Sequence, residues 1–287
     1  MPGGPGSLGP EGPSSRPALR IPFGARGPVL VDTHCHLADQ AFADVSATLT
    51  RARTAGVTRV IAVGGAPESN RAVLALARRH EGVRPAFGFH PERFDLDDAV
   101  LEEVFAQLEA ARSDLVAVGE IGLPWYGLDR VDDAAMVRAH AVTRLVRSLA
   151  VARRLELPVL LHAPHGAADQ ARRLLTDRPV AAAVFHWHKA ESAVTRAILE
   201  SGGYLGITPE VVYRERDRRL VAEAPLDQLL PESDGPWAYA GPFGGRPGEP
   251  AMVRNVATAV AAIRGLPVEA VTEALAANAQ RCFGPGL

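Results

Sequence analysis

An α/β barrel of eight strand-helix units, the TIM-barrel (β/α)8 class, is what this sequence predicts, and three observations predict it. Eight short apolar runs follow one another from residue 28 onward. Between them lie longer stretches with apolar residues three and four positions apart, the spacing of one face of a helix. Polar residues of metal-binding type stand where the runs end, which is the end at which barrels of this class carry their chemistry.

The runs are PVLVDTH (28–34), TRVIAVG (58–64), VRPAFGFH (83–90), LVAVGEIG (115–122), LPVLLHA (157–163), VAAAVFH (180–186), YLGI (204–207) and LDQLLPES (226–233). Most are near-continuously apolar, as expected of parallel strands covered on both faces. The helical stretches include FADVSATLTRARTAG, closed by Gly56 as a left-handed cap, and VDDAAMVRAHAVTRLVRSLAVARRLE, which stops before Pro158. PVEAVTEALAANAQRCF (267–283) reads as a closing helix. Alternating strands and helices imply a parallel sheet with right-handed crossovers, and eight units are the number that closes a barrel. An open doubly wound sheet shares the same alternation.

Composition narrows the function classes. Of 287 residues, 47% are hydrophobic and 22% charged, which supports a large buried core. With 31 basic and 33 acidic side chains the net charge is −2, so no general electropositive field holds nucleic acid, and a phosphate must be gripped locally. The two cysteines, Cys35 and Cys282, form no disulfide framework and point to a reducing, cytoplasmic setting. Neither a secretion signal nor an 18-residue apolar run is present, so no membrane partner is expected, and no obligate protein partner either. Residues 1–27, rich in Pro, Gly and Ser, are expected to be a flexible leader, with residues 28–287 forming a single barrel domain.

The residues at the run ends carry the functional expectation. Run one ends in His34 and His36, run three in His90, run four in Glu120, run five in His162, run six in His186, and run eight leads to Asp234. Each has a plain structural alternative: a packed histidine, a turn aspartate before Gly235 and Pro236, a carboxylate paired with an arginine. Together they weigh more, because a barrel gathers strand ends that are far apart in sequence. The other four histidines, His80, His140, His165 and His188, act as a control, two of them falling in helical stretches. In an extended strand His34 and His36 share a side while Cys35 faces away, so Cys35 is expected to be a buried small residue. Glu120 closes an apolar run, where a lone carboxylate is costly unless a cation neutralises it. Imidazoles and carboxylates in this number exceed the needs of one tetrahedral zinc and suit two divalent ions sharing a carboxylate, an arrangement adapted to phosphate-ester hydrolysis.

In order along the chain, VDTHCHL, GFHP, VGEIGL, LLHA, VFHWH and PESDGPW, with the tail ANAQRCFG, resemble the motif series of the TatD family of metal-dependent hydrolases, within the amidohydrolase-like barrels. The resemblance runs from about residue 30 to residue 284. It implies that His34, His36 and Asp234 hold one ion, His162 and His186 the other, and that Glu120 bridges them. It further implies that His90 faces the substrate, that the ions are Zn, Mg or Mn, and that Asp234 takes a proton from the attacking water. The implied activity is that of a deoxyribonuclease acting on DNA or another phosphodiester. Asn278 and Phe283 are implied to be structural.

Departures from the family pattern bear on the substrate. Pro124 stands where an aspartate is usual, and Ala163, Pro164 and His165 replace a Ser-Arg-Asp run, which removes a bidentate phosphate donor. His188 and Lys189 are candidates to replace it, with a packed histidine and a solvated charge as the alternatives. Arg246 and Trp237 are further substrate-contact candidates, and Trp125, Tyr126 and Tyr239 are expected to flank the mouth, free to stack on a base or to pack the loops. Glu249 is expected to be structural, and Asp32 to orient His34 or cap its strand. Two other readings stay open: a metal-dependent ester or amide hydrolase, such as one that deacylates a carrier, and a non-catalytic binding barrel.

Overall fold

The computed structural model describes residues 29–285 and 287; the expected leader, residues 1–27, lies outside them. Eight parallel strands, β1 (Leu30–Cys35), β2 (Val57–Val63), β3 (Val83–Phe87), β4 (Ala117–Gly122), β5 (Val159–His162), β6 (Ala183–Phe185), β7 (Tyr204–Ile207) and β8 (Leu229–Pro231), are hydrogen-bonded in sequence order. Helices follow them in turn: α1 (Val45–Thr54), α2 (Pro67–Arg79), α3 (Asp98–Ala110), α4 (Ala134–Arg154), α5 (Ala167–Thr176), α6 (Ser192–Glu200), α7 (Glu215–Glu223) and α8 (Val253–Arg264), with α9 (Val268–Phe283) closing the chain. The predicted (β/α)8 barrel is thus the observed one.

Local chemistry starts these helices. Asp44, Asp97 and Asp133 accept hydrogen bonds from the first free backbone N–H groups of α1, α3 and α4. Two hydrophobic layers then form. Val31, Ile61, Val63, Ala86, Leu160, Val184 and Leu230 fill the barrel interior together with Ala279, Cys282 and Phe283 of α9. A larger cluster packs between the barrel and its helices, and includes Cys35, Leu49, Val60, Leu101 and Leu145. Phe283 is therefore structural in place, as is Asn278, whose Nδ2 donates to Leu226 O and Leu229 O at 2.7 Å each.

The seam between β8 and β1 is made without a regular ladder. Thr33 Oγ1 donates to Pro231 O at 3.1 Å, Asp234 N donates to His34 O at 2.9 Å, and His36 N donates to Gly235 O at 2.8 Å. Asp32, fully buried, accepts from Ser233 N at 2.8 Å and from Ser233 Oγ at 2.5 Å. Asp32 Oδ1 also accepts from His34 N at 3.3 Å, within its own strand as expected, while its closest bonds cross the seam to Ser233.

Several expected spans shorten in the structure. The third run stops as a strand at Phe87, since Gly88 to His90 turn toward the mouth, and the eighth begins only at Leu229 because Leu226–Gln228 form a 3-10 turn. A small antiparallel pair, β9 (Ala238–Tyr239) with β10 (Arg246–Pro247), was not expected. Among the described residues no helix is long and apolar enough to cross a membrane.

Candidate metal centre

The carboxyl ends of the strands converge on Glu120, whose side chain is 1% exposed. Its Oε1 lies 2.8 Å from His162 Nδ1, 3.0 Å from His186 Nε2 and 3.4 Å from His90 Nε2. Its Oε2 lies 3.3 Å from His34 Nε2 and 3.4 Å from His36 Nε2. Asp234 Oδ1 is 3.7 Å from His34 Nε2 and 3.6 Å from His36 Nε2. Five imidazoles and two carboxylates that the sequence scatters over 200 positions thus meet at one point.

Irregular backbone aims these groups. The register of β1 against β2 shifts between Leu30 and Val31 and again between Asp32 and Cys35. Val31 packs inside the barrel and Cys35 outside it, although regular alternation would put residues four apart on one face. His34 and His36 nonetheless meet as expected, with Nε2 atoms 3.5 Å apart. A third register shift separates Val118 from Ile121 and brackets Glu120. Asp234 holds φ at +43°, a left-handed conformation uncommon for a residue with a side chain. Such bulges and strained turns re-aim side chains beside active sites.

The electrostatics follow from burial and crowding. Burial alone would raise the Glu120 carboxyl, but His90, His186 and His34 and the hydrogen bond from His162 outweigh it and hold the group well below the usual carboxylate range. His34 is pushed down to about 3 by burial and by His186, which stacks on it at a centroid distance of 4.0 Å. His186 goes the other way: burial opposes its protonation, yet Glu120 and Glu232 raise it well above the ordinary imidazole value. Asp234 is raised to about 6, chiefly by burial.

The donor set fits a divalent cation. Glu120 Oε2, close to two imidazole nitrogens, is aligned for a hydrogen bond with neither, and His34 Nδ1 also lacks a partner. Ligand atoms within 4.8 Å of one another fall into three trios: His34, His186 and Asp234; His34, His36 and Glu120; His90, Glu120 and His162. Glu120 belongs to two of these, as a shared carboxylate would. The trios overlap, and His186 Nε2 also shares Glu120 Oε1 with His162 Nδ1, at 3.0 and 2.8 Å. His90, expected to face substrate, lies 3.4 Å from the same oxygen.

Around this cluster opens a cavity of about 870 Å³, lined also by Tyr126, Trp187, Lys189, Glu210, Arg214 and Trp237. Trp237 is where the sequence places it, at the mouth. His188 is not: it is 2% exposed, its Nε2 lies 2.8 Å from Thr195 Oγ1, and it packs under the loop as a buried histidine. Arg246 lines a separate surface hollow with Phe42 and Glu249, and its Nε donates to Phe243 O at 3.0 Å. These two placements correct the expectation that either contacts a substrate at this mouth. Tyr239 is fully buried, its hydroxyl donating to Ser233 O at 2.7 Å, so it packs the loop. Glu249 pairs with Arg51 at 2.6 Å, a structural contact as expected. Lys189 is not a solvated charge, because only 12% of its side chain is exposed.

Sequence reasoning missed three acidic residues. Glu92 accepts from Trp125 N at 2.7 Å and Tyr126 N at 2.8 Å, and its Oε1 is 3.2 Å from His162 Nε2. Burial raises its carboxyl, but these bonds prevail and hold it below its ordinary value. Glu232 accepts from Trp187 N at 2.6 Å and lies 3.4 Å from His186 Nδ1, where it can orient that ring. Its place two residues before Asp234 was the available signal. Glu210, after β7, had none.

Known proteins extend this geometry. The family model described as TatD related DNase matches residues 31–284. The YjjV protein of Escherichia coli K12, described as an uncharacterized metal-dependent hydrolase, is 30% identical over 257 residues, covering 88% of this chain and 97% of its own. Its crystal structure superposes with a TM-score of 0.81 at 29% identity, covering 88% of this chain and 97% of that one. Human deoxyribonuclease TATDN3 is 28% identical over 268 residues, covering 90% of this chain and 96% of its own. A match along nearly the whole barrel, with histidines and carboxylates gathered at its mouth, makes this chain a metal-dependent hydrolase of the TatD-related DNase family.

Proposed function

We propose that the chain hydrolyses phosphodiester bonds, with DNA as the substrate, using two divalent ions drawn from Zn, Mg and Mn. One observation carries this reading: a buried Glu120 shared between two sets of imidazoles, with Asp234 at the edge of an open cavity. The human relative described as a deoxyribonuclease supports the substrate class. His34, His36, His90, His162, His186, Glu120 and Asp234 would hold the ions, which when bound supply positive charge for a phosphoryl group and acidify water. Asp234 then takes the proton of the attacking water, for which its carboxylate faces the cavity. Tyr126 and Trp237, 46% and 57% exposed, offer faces on which a base can stack. The unpaired, buried Cys35 and Cys282 suit a reducing, cytoplasmic location.

The test is hydrolysis of single-stranded DNA and of a chromogenic phosphodiester by purified protein with each metal in turn. Turnover that disappears in Glu120→Ala supports the reading, and no turnover with any of the three metals refutes it. The loss of the family's arginine after His162 favours a second reading, hydrolysis of a carboxylic ester or amide. Turnover of acyl esters with none of phosphodiesters would select it.

A further inference from the structure

Most of the residues lining the cavity lie outside the imidazole and carboxylate cluster. Trp187 and Trp237 meet edge to face with ring centroids 5.2 Å apart, and Lys189 Nζ sits 3.4 Å from the Trp187 ring centroid. Trp187 is held rigidly. Its N donates to Glu232 Oε1 at 2.6 Å and its Nε1 to Glu210 Oε2 at 3.0 Å, with φ at +38°. A bulky residue keeps such a conformation only where its surroundings over-determine it.

Charged side chains crowd this wall. Glu210 accepts from Arg214 Nε at 2.9 Å and from Arg216 Nη2 at 3.0 Å, while Lys189 Nζ is 3.9 Å away. Arg216 is also gripped by Asp217 at 2.8 and 2.9 Å. Of the three cations around Glu210, Lys189 is the most distant from it. Burial lowers its ammonium to about 8, against the pull of Glu210. An ammonium held over an indole, with no carboxylate in hydrogen-bonding contact, is prepared for an anion that arrives from the cavity. The loop after β5 supplies no competing cation: His165 leans on Trp125 at a centroid distance of 5.3 Å, beside Lys189 and Arg216.

We infer that Lys189, with Trp187 and Trp237, forms a nucleotide subsite in which the ammonium takes a phosphate group flanking the scissile linkage and the indoles take the base attached to it. This rests on the phosphodiesterase reading and deepens it, since a base can stack here only when unpaired. The subsite thereby selects single strands over duplex.

Two of the chain's three tryptophans, Trp187 and Trp237, line this cavity, and Trp125 lines a separate hollow, so intrinsic fluorescence reports on this region. The probes are thymidine 5′-monophosphate, which has a phosphate but no diester to cleave, and thymidine, titrated into the full chain as purified. Saturable quenching by the monophosphate is expected. Lys189→Met should weaken its binding about tenfold, the loss of a charge-assisted contact, while Lys189→Arg keeps most of the affinity. Trp237→Ala, at an exposed position that does not threaten folding, should weaken both probes about fivefold or more. Thymidine should be insensitive to Lys189→Met. Absence of quenching, or equal monophosphate affinity in wild type and Lys189→Met, overturns the subsite. Probe binding with this pattern but no diester hydrolysis counts against the phosphodiesterase reading alone. Hydrolysis whose KM is the same in Lys189→Met counts against the subsite alone.

Discussion

Glu120 concentrates the chemistry of this protein at one side chain. Because five imidazoles surround it and every one is a neutral ligand only when deprotonated, its removal should abolish more than one trio of ligand atoms at once. Glu120→Ala and Asp234→Asn are each expected to lower turnover by at least about a hundredfold, and equilibrium dialysis should show lost metal in the first. Full activity in either would remove these residues from the centre. Glu232→Gln keeps the shape but weakens the orientation of His186, and a loss of about 10 to 100-fold in metal affinity is expected, read by the same dialysis. Lys189 gives a pH dependence. It faces Glu210, Arg216, Asp217 and Asp234, and its ammonium is charged below about 8 and neutral above it. The advantage of wild type over Lys189→Met in monophosphate binding should therefore be present at pH 7 and shrink toward pH 9.5. An advantage that grew with pH would contradict this assignment.

Elements of the barrel position these residues through close backbone contact. Gly88, just after β3, lies so near β4 that a Cβ there would meet Glu120 O at 2.2 Å and Glu120 N at 2.5 Å. Gly88→Ala must displace Glu120, so metal affinity is expected to fall about tenfold or more, with the helical circular dichroism retained. At the other end of the barrel, α9 is pinned to β8 by Asn278, whose amide satisfies two buried carbonyls. Asn278→Ala would take the amide donor from both, leaving Leu226 O only its bond from Leu229 N, and should destabilise by about 1 to 3 kcal/mol, measured as a lower denaturant midpoint at unchanged m-value. Asn278 stood out in the sequence through the resemblance of ANAQRCFG to the family's closing motif. The bulges in β1 and β4 could not stand out there, because a register shift depends on the neighbouring strand, which a single run of residues does not contain. The same is true of Glu210, whose role depends on cations from Lys189, Arg214 and Arg216.

The whole molecule is a barrel whose seam between β8 and β1 is closed by Asp32, Thr33 and Ser233 directly beneath the ligand cluster. Metal binding and closure are therefore coupled in space, and ions that bind only the folded chain should stabilise it. At a free metal concentration about a hundredfold above the dissociation constant the gain is about 2.7 kcal/mol, enough to raise Tm by several degrees. Chelation should reverse that rise, and a Tm indifferent to chelator would argue against tight binding at this site. By itself the sequence determined the eight strand-helix units and the seven residues at the ends of their strands, since apolar periodicity and strand-end position are local properties of the chain; closure into a barrel and not an open sheet is not such a property. Tertiary structure alone decided how closely the imidazoles crowd Glu120, that His188 and Arg246 turn away from the mouth, and that Lys189 packs over Trp187. Those outcomes depend on distances between separate strands and loops, and such distances exist only once the barrel has closed.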